Sequence, residues 1–292
     1  MPTTAEQAGQ TGHTPSDVRR KADIAQGFDL VADSFGSGSG SFFDTLGRRL
    51  VHLAGVRAGD RVLDLGCGRG AVLFAAAEAV GADGYTAGID LAPEMVRATA
   101  AEIGARRLRN VAVRVGDAED PGFPARSFEA VLAGLMMFIT PDPAAALASA
   151  RRVLVPGGRF GMSAFGPEDP AWQRPLLAAL AAGGRPAAAG EWNRDRGGNG
   201  LLDTPERTAE LLARAGFADV ATVDEPQVTT YRTYDAWWTS LWSSGRRAAL
   251  LQHIPEDRRD DAREAAYAEL DTLAVDGVLT RSTTIRYTTA VV

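Results

Sequence analysis

Between Arg61 and Phe165 the chain repeats one pattern: a short apolar run, a polar or glycine-rich break, then a longer amphipathic stretch. Val62-Leu-Asp-Leu65, Tyr85 to Ile89, Val111-Ala-Val-Arg-Val115, Phe128 to Ala133 and Gly158 to Ala164 have strand length. Ala71 to Val80, Pro93 to Arg106 and Pro143 to Leu154 have the length and period of helices. Strands alternating with helices predict a parallel sheet covered on both faces, a doubly wound α/β fold. Pro156-Gly157-Gly158 ends one helix and turns the chain into the next strand.

Outside this stretch the alternation fails. Residues 1–15 are rich in Thr, Gln, Gly and Ala, lack an apolar period and predict a disordered tail. Ser16 is placed to cap a helix running to about Val31, and Phe35-Gly-Ser-Gly-Ser-Gly-Ser41 reads as a hinge. Phe42, Phe43, Leu46, Leu50, Val51 and Leu53 mark the apolar face of a second helix. Two readings of residues 16–55 stay open: helices packed on the core, or a flap over a ligand. Residues 167–203 carry many Pro, Gly and Ala and a polar loop, Asn193 to Gly200. A helix from Thr204 to near Gly216 and a strand at Val220 to Val223 follow, then a helical stretch over 235–276 and a last strand at Thr283 to Val292. The expected division is a tail (1–15), a flap (16–55), a core (56–166), a cap insertion (167–203), a core continuation (204–234), a helical cap insertion (235–276) and a final core strand (277–292).

Charge and composition narrow the function classes. Lys and Arg number 31 against 37 Asp and Glu, a formal charge of −6, which argues against a nucleic-acid binder with its basic face. A single cysteine, Cys67, excludes an intrachain disulfide and a Cys-rich zinc site, and with three histidines no metal centre is expected. No run approaches the ~18 apolar residues of a membrane helix. The N-terminus lacks the basic and apolar regions of a secretion signal, so a cytoplasmic protein without a membrane partner is expected. Lys21 is the only lysine, and the preference for Arg and Ala reads as genome composition rather than a functional device.

The most informative segment is Val62-Leu-Asp-Leu-Gly-Cys-Gly-Arg-Gly70, a strand feeding a tight turn and a helix. Glycines there permit positive φ and close approach of a ligand to the backbone. The spacing is Gly-x-Gly-x-Gly rather than the dinucleotide Gly-x-Gly-x-x-Gly. Asp64, just before the turn, suits an amino or hydroxyl donor better than a pyrophosphate. Asp90 ends the second strand, 20 residues beyond Gly70, where a carboxylate can accept both hydroxyls of a ribose. Asp117, in Gly116-Asp-Ala-Glu119 after the third strand, can face the exocyclic amine of an adenine.

Asp64-Leu-Gly-Cys-Gly-Arg-Gly70, Asp90, Asp117-Ala118, Phe128-Glu-Ala-Val-Leu132 and Arg152-Val-Leu-Val-Pro-Gly-Gly158 together resemble, in order and spacing, the motifs of class I S-adenosylmethionine-dependent methyltransferases. The likeness covers about Asp60 to Phe165 and points to the small-molecule branch related to quinone-biosynthesis and natural-product enzymes. It implies a Rossmann-like, mostly parallel seven-stranded sheet with helical cap insertions. It also implies S-adenosylmethionine as cofactor and S-adenosylhomocysteine as product. By the same resemblance Gly66, Cys67 and Gly68 line the methionyl part with Asp64 near its amino group. Asp90 binds the ribose, Leu91 and Met95 pack on the adenine, and Asp117 and Ala118 meet its polar edge. Ala133 and Gly134 pass close to the sulfonium. The family often carries Asp or Asn after the fourth strand. This chain has Ala-Gly-Leu-Met-Met-Phe138 instead, which tilts against an amine or nucleic-acid base as acceptor.

His253 is the best-placed histidine for a general base, and Tyr231 is a second catalytic candidate. Trp192, Tyr234, Trp238 and Trp242 are candidates for an aromatic acceptor wall, although Trp237, Trp238, Leu241 and Trp242 at helical spacing also fit a core helix. The reading is methyl transfer to carbon or phenolic oxygen of a small, largely apolar metabolite of secondary metabolism. The alternative is a protein that keeps the cofactor without methylating, such as a cyclase. A nicotinamide oxidoreductase fits the glycine spacing and Asp117-Ala118 poorly. A homo-oligomer stays open.

Overall fold

The computed structural model describes residues 15–36, 42–186, 202–242 and 245–292. The expected tail apart from Pro15, the glycine-serine part of the hinge, Trp192 and the polar loop Asn193 to Gly200 lie outside them. In chain order the elements are α1 (Pro15–Asp29), α2 (Phe42–Leu53), β1 (Arg61–Leu65), α3 (Ala71–Val80), β2 (Tyr85–Asp90), α4 (Pro93–Ala105), β3 (Val111–Val115), β4 (Phe128–Gly134), α5 (Pro143–Val153) and β5 (Leu154–Phe165). There follow α6 (Arg174–Ala182), α7 (Pro205–Arg214), β6 (Ala218–Tyr231), α8 (Tyr234–Trp242), α9 (Gly245–Leu251), α10 (Arg259–Asp271) and β7 (Leu279–Val291).

Seven strands form one sheet in the order β3-β2-β1-β4-β5-β7-β6. The strands β1 to β5 pair in parallel and β7 runs antiparallel to both neighbours. The inner strands β1, β2 and β4 are buried along most of their length because both sheet faces are covered, whereas β3, at the edge, is half exposed. On one face Leu63, Val131 and Phe160 pack with Leu147 of α5 and Leu212 of α7. On the other, Val62 and Leu132 pack with Leu50 of α2 and Val72 of α3. No described helix is long and apolar enough to cross a membrane.

The sequence pattern predicts a shorter sixth strand than the structure holds. The β5–β7 ladder stops at Phe165↔Ile285, but β6 stays paired with β7 as far as Tyr231↔Leu279. A two-stranded ribbon therefore rises past the carboxyl end of β5. Its sequence favours this: Thr and Val recur along both strands, and Pro226 is tolerated because β6 is the sheet's edge. A separate apolar cluster supports the ribbon, built from Trp172, Leu176, Leu180, Trp237, Leu241 and Leu270. The fold thus has an apolar core on each face of the sheet and a separate one in the cap.

Candidate functional site

The carboxyl edge of the parallel strands opens into a cavity of about 820 Å³. That is near the top of the roughly 300–1,000 Å³ usual for small-molecule sites. Its floor is the turn between β1 and α3. Gly66, Gly68 and Gly70 have φ of 62°, 48° and 86°, values that disfavour any residue with a Cβ. A Cβ on Gly66 would also lie 2.9 Å from the Met136 side chain. The turn is held from outside: the Cys67 amide donates to the Ile89 carbonyl at 2.9 Å, and the Thr99 hydroxyl donates to the Gly68 carbonyl at 2.7 Å. Cys67 is buried against Gly88, and burial, with Asp64 and Asp90 adding to it, holds its thiol well above the ordinary range. It is therefore a packing residue of the turn rather than a nucleophile.

Three strand ends bring carboxylates to this floor. Asp64 is 1% exposed and neither oxygen has a hydrogen-bond partner. Burial raises its pKa well above the ordinary value, the Asp90 charge adds to the shift, and the Leu73 amide opposes it without reaching hydrogen-bonding geometry. Asp90 accepts from the Gly68 amide at 2.8 Å and the Ala92 amide at 2.9 Å. Burial pushes its pKa up and these amides pull it back. Asp117 accepts from the Glu119 amide at 2.9 Å and from Lys21 at 2.8 Å. Leu91, Met95, Ala118 and Gly134 line the same cavity.

These residues fit S-adenosylmethionine. A buried carboxylate without a partner is costly unless a cation or donor arrives to satisfy it. Asp64 has that need beside the glycine turn, where the cofactor's amino group is expected. The glycine cradle admits a ligand where Cβ atoms would block it. Asp90 and Asp117 each keep lone pairs beyond the two bonds they accept.

Beyond this floor the walls change character. Ile24 and Phe28 of α1, with Phe35, Phe42 and Phe43, cover one side; Phe138 and Phe165 face them from the ends of β4 and β5. The ribbon supplies Thr229, Tyr231, Arg281 and Thr283. Arg281, 8% exposed, pairs with Glu168, its guanidinium lies 5.9 Å from the Trp172 ring centroid, and its Nε has no partner. At the head of the β4 turn Leu135 has φ of 53°, and its amide donates to the carbonyl and hydroxyl of Ser163, each at 3.1 Å. A leucine held there is strained, and strain concentrates at ligand sites.

Several expected site residues lie elsewhere. His253 is exposed beyond α9, its Nδ1 2.8 Å from the Ala249 carbonyl, and it is absent from the cavity wall. Its neighbour Ile254 takes the inward position instead. Tyr234 donates to Asp271 at 2.5 Å and stacks edge-on with Tyr267, away from the cavity. Trp238 and Trp242 pack together at 6.4 Å between centroids and join the cap cluster. The helix α8 turns Trp237 and Leu241 into that core, so only Ser240 reaches the cavity. Ala133 is buried in the core under the sheet and is not part of the wall. Tyr231 does line the cavity. Trp192 falls outside the described residues. Among the described residues no cluster of His, Cys, Asp and Glu gathers to hold a metal ion.

Lys21, Glu168 and Arg281 were not among the expected site residues. Arg281 had a signal: it occupies an inward position in the alternation Leu279, Arg281, Thr283, Ile285, where an apolar residue is expected. The N-terminal segment does both: Leu46, Leu50 and Val51 pack into the core, while Ile24, Phe28, Phe35, Phe42 and Phe43 line the cavity.

A profile of the methyltransferase domain matches residues 62–158. The chain is 35% identical over 285 residues to nocamycin O-methyltransferase of Saccharothrix syringae, covering 90% of this chain and 96% of that protein. It is 44% identical over 147 residues to aklanonic acid methyltransferase DauC of a Streptomyces species, covering 50% of this chain and 67% of that one. Its fold is similar to that of a solved cyclase, SpnF, with a TM-score of 0.55 at 20% identity, covering 91% of this chain and 94% of that chain.

Proposed function

The chain belongs to the class I S-adenosylmethionine-dependent methyltransferases of the natural-product branch, and we propose that its acceptor is an oxygen on a small, largely apolar metabolite. It is an enzyme of secondary metabolism that uses S-adenosylmethionine. The observation that carries the acceptor reading is the single cavity, with carboxylates and glycines at one end and phenylalanines, a tyrosine and a buried ion pair at the other. Oxygen is favoured over carbon by the O-methyltransferase relative, similar along nearly its whole length.

The cofactor supplies an electrophilic methyl group on a sulfonium, whose leaving group is already good. The chain's residues then have three tasks. Asp64, Asp90 and Asp117 would hold the amino, ribose and adenine groups. Phe28, Phe35, Phe42 and Phe43, which line the cavity, would cover a bound cofactor and shield the reacting groups from water. Tyr231, Glu168 and Arg281 present the donors and acceptors that orient an acceptor oxygen. No described histidine lines the cavity, so the acceptor's proton is left to this polar group or to the acceptor's own acidity. A cytoplasmic location belongs to the same reading.

The test is mass spectrometry of small molecules extracted from the purified protein. The expected result is S-adenosylmethionine or its demethylated product, with an apolar co-purified ligand. Incubating that ligand with fresh cofactor should raise its mass by one methylene and leave its carbonyl-adjacent or phenolic hydroxyl blocked. A product methylated at nitrogen would refute the oxygen assignment.

A further inference from the structure

The chain's only lysine is buried behind Asp117 of the cavity wall. From α1, Lys21 Nζ donates to Asp117 Oδ2 at 2.8 Å and to Glu119. Burial opposes the ammonium's charge, yet the two carboxylates outweigh it and hold its pKa above the ordinary lysine value. Glu119 is buried and accepts a second bond from the Asp142 amide at 2.9 Å, so it cannot swing freely. Asp117 is the partner on the cavity wall, and its other oxygen accepts from the Glu119 amide. Of about four lone-pair sites on that carboxylate, two are taken and two remain. Removing Lys21 would leave two carboxylates sharing one place without a cation. Their repulsion would then turn Asp117, the one on the cavity wall, away from its place.

Other ties of the N-terminal segment also run to cofactor motifs. The Glu94 amide, after Asp90 at the start of α4, donates to Asp29 at 2.8 Å, and Arg69 of the glycine turn donates to the Ala32 carbonyl. Val31 and Ala32 already anchor the segment by apolar packing on Ala92 and Met95. An ion pair is not needed to hold it down.

We propose that Lys21 is a cofactor-positioning residue: it fixes the Asp117 carboxylate in the orientation that accepts the 6-amino group of adenine, and so couples docking of α1 to recognition of the base. This rests on the reading of the cavity as the S-adenosylmethionine site. Coupling of this kind is reciprocal, so the base should also tighten the hold on Lys21.

The test compares S-adenosylhomocysteine with S-inosylhomocysteine, which carries a 6-oxo group, by calorimetry on wild type, Lys21→Met and Lys21→Arg. Lys21→Met is expected to weaken the adenosyl ligand by about tenfold or more and the inosyl ligand by much less, collapsing the preference. Lys21→Arg should restore most of it. Equal losses for both ligands would make Lys21 a plain anchor and overturn the proposal. Should Lys21→Met not fold, acylation of Lys21 in the wild-type chain is read by mass spectrometry. There the adenosyl ligand is expected to slow labelling by about tenfold, and an unchanged rate would overturn the coupling. A wild-type chain that binds neither ligand would instead overturn the cofactor reading beneath it.

Discussion

At one end of the cavity Asp64, Gly66, Gly68 and Asp90 come from a single stretch of the chain, residues 64–90, and act through carboxylates and backbone amides. At the other end Glu168, Tyr231 and Arg281 come from three distant segments and act through side chains alone. The first end needs a backbone shape that few residue types permit. The second needs only a fit to one acceptor, which many side-chain sets can provide. Such a division lets one cofactor end serve many acceptors, and fold alone does not choose among them.

If the division is real, the largest effect should come from the first end. Asp90→Ala removes the acceptor of two backbone amides as well as the ribose ligand. Charged hydrogen bonds are worth about 1.5–3 kcal/mol each, so cofactor affinity should fall by about 10² to 10⁴, read by calorimetry. At the second end, Arg281→Met should cut turnover by about 10² while leaving cofactor affinity within about threefold. A parallel loss of cofactor affinity would break the comparison, because the ends would then not be separable. Arg281→Met also removes the cation of the buried pair with Glu168, so it should lower the melting temperature as well. Arg281→Met combined with Glu168→Gln separates the two effects.

Gly66→Ala is a third test, weaker but purely geometric. It places a Cβ at positive φ and against Met136, which should cost about 1–3 kcal/mol of stability and weaken cofactor binding.

Asp64→Asn should produce opposite signs in two measurements. Burial holds the folded Asp64 carboxyl well above the ordinary carboxylate range. Between the ordinary and the folded value the folded state binds more protons than the unfolded state, so stability of the cofactor-free protein falls as pH rises through that window. The amide removes that slope, so the cofactor-free variant should lose less stability than the wild type as pH rises through that window. The same change should weaken binding of the cofactor's cationic amino group. A thermal scan against pH, with and without S-adenosylhomocysteine, reads both. The smallest effect is expected from His253→Ala, within about 0.5 kcal/mol in stability and with unchanged turnover, since that ring faces solvent.

The alternating β/α core was legible because its strands are covered on both faces and its helices are amphipathic, so each element carries its own period. The residues that line the floor of the cavity were legible for a related reason. A strand, a glycine turn and a strand-end acid are local, and Asp64, Asp90 and Asp117 follow at fixed places after successive strands. The acceptor half was not legible in this way. Trp238 and Trp242 carry the same helical spacing whether they face a ligand or the cap core, and the packing of α8 on α6 and α10 decided for the core. The proximity of His253 to a tryptophan-rich helix likewise said nothing of its direction.

By itself the sequence determined the order of the parallel core, the turn that approaches a ligand and the acids beside it, because those depend on backbone conformation and near neighbours. Only the tertiary structure decided that β6 and β7 stay paired beyond β5, carrying Tyr231 and Arg281 over the carboxyl edge. It also decided that Lys21 crosses from α1 to Asp117 and Glu119. Those outcomes depend on strand register and on helix docking between segments far apart in the chain, where no local period reports which side chains will meet.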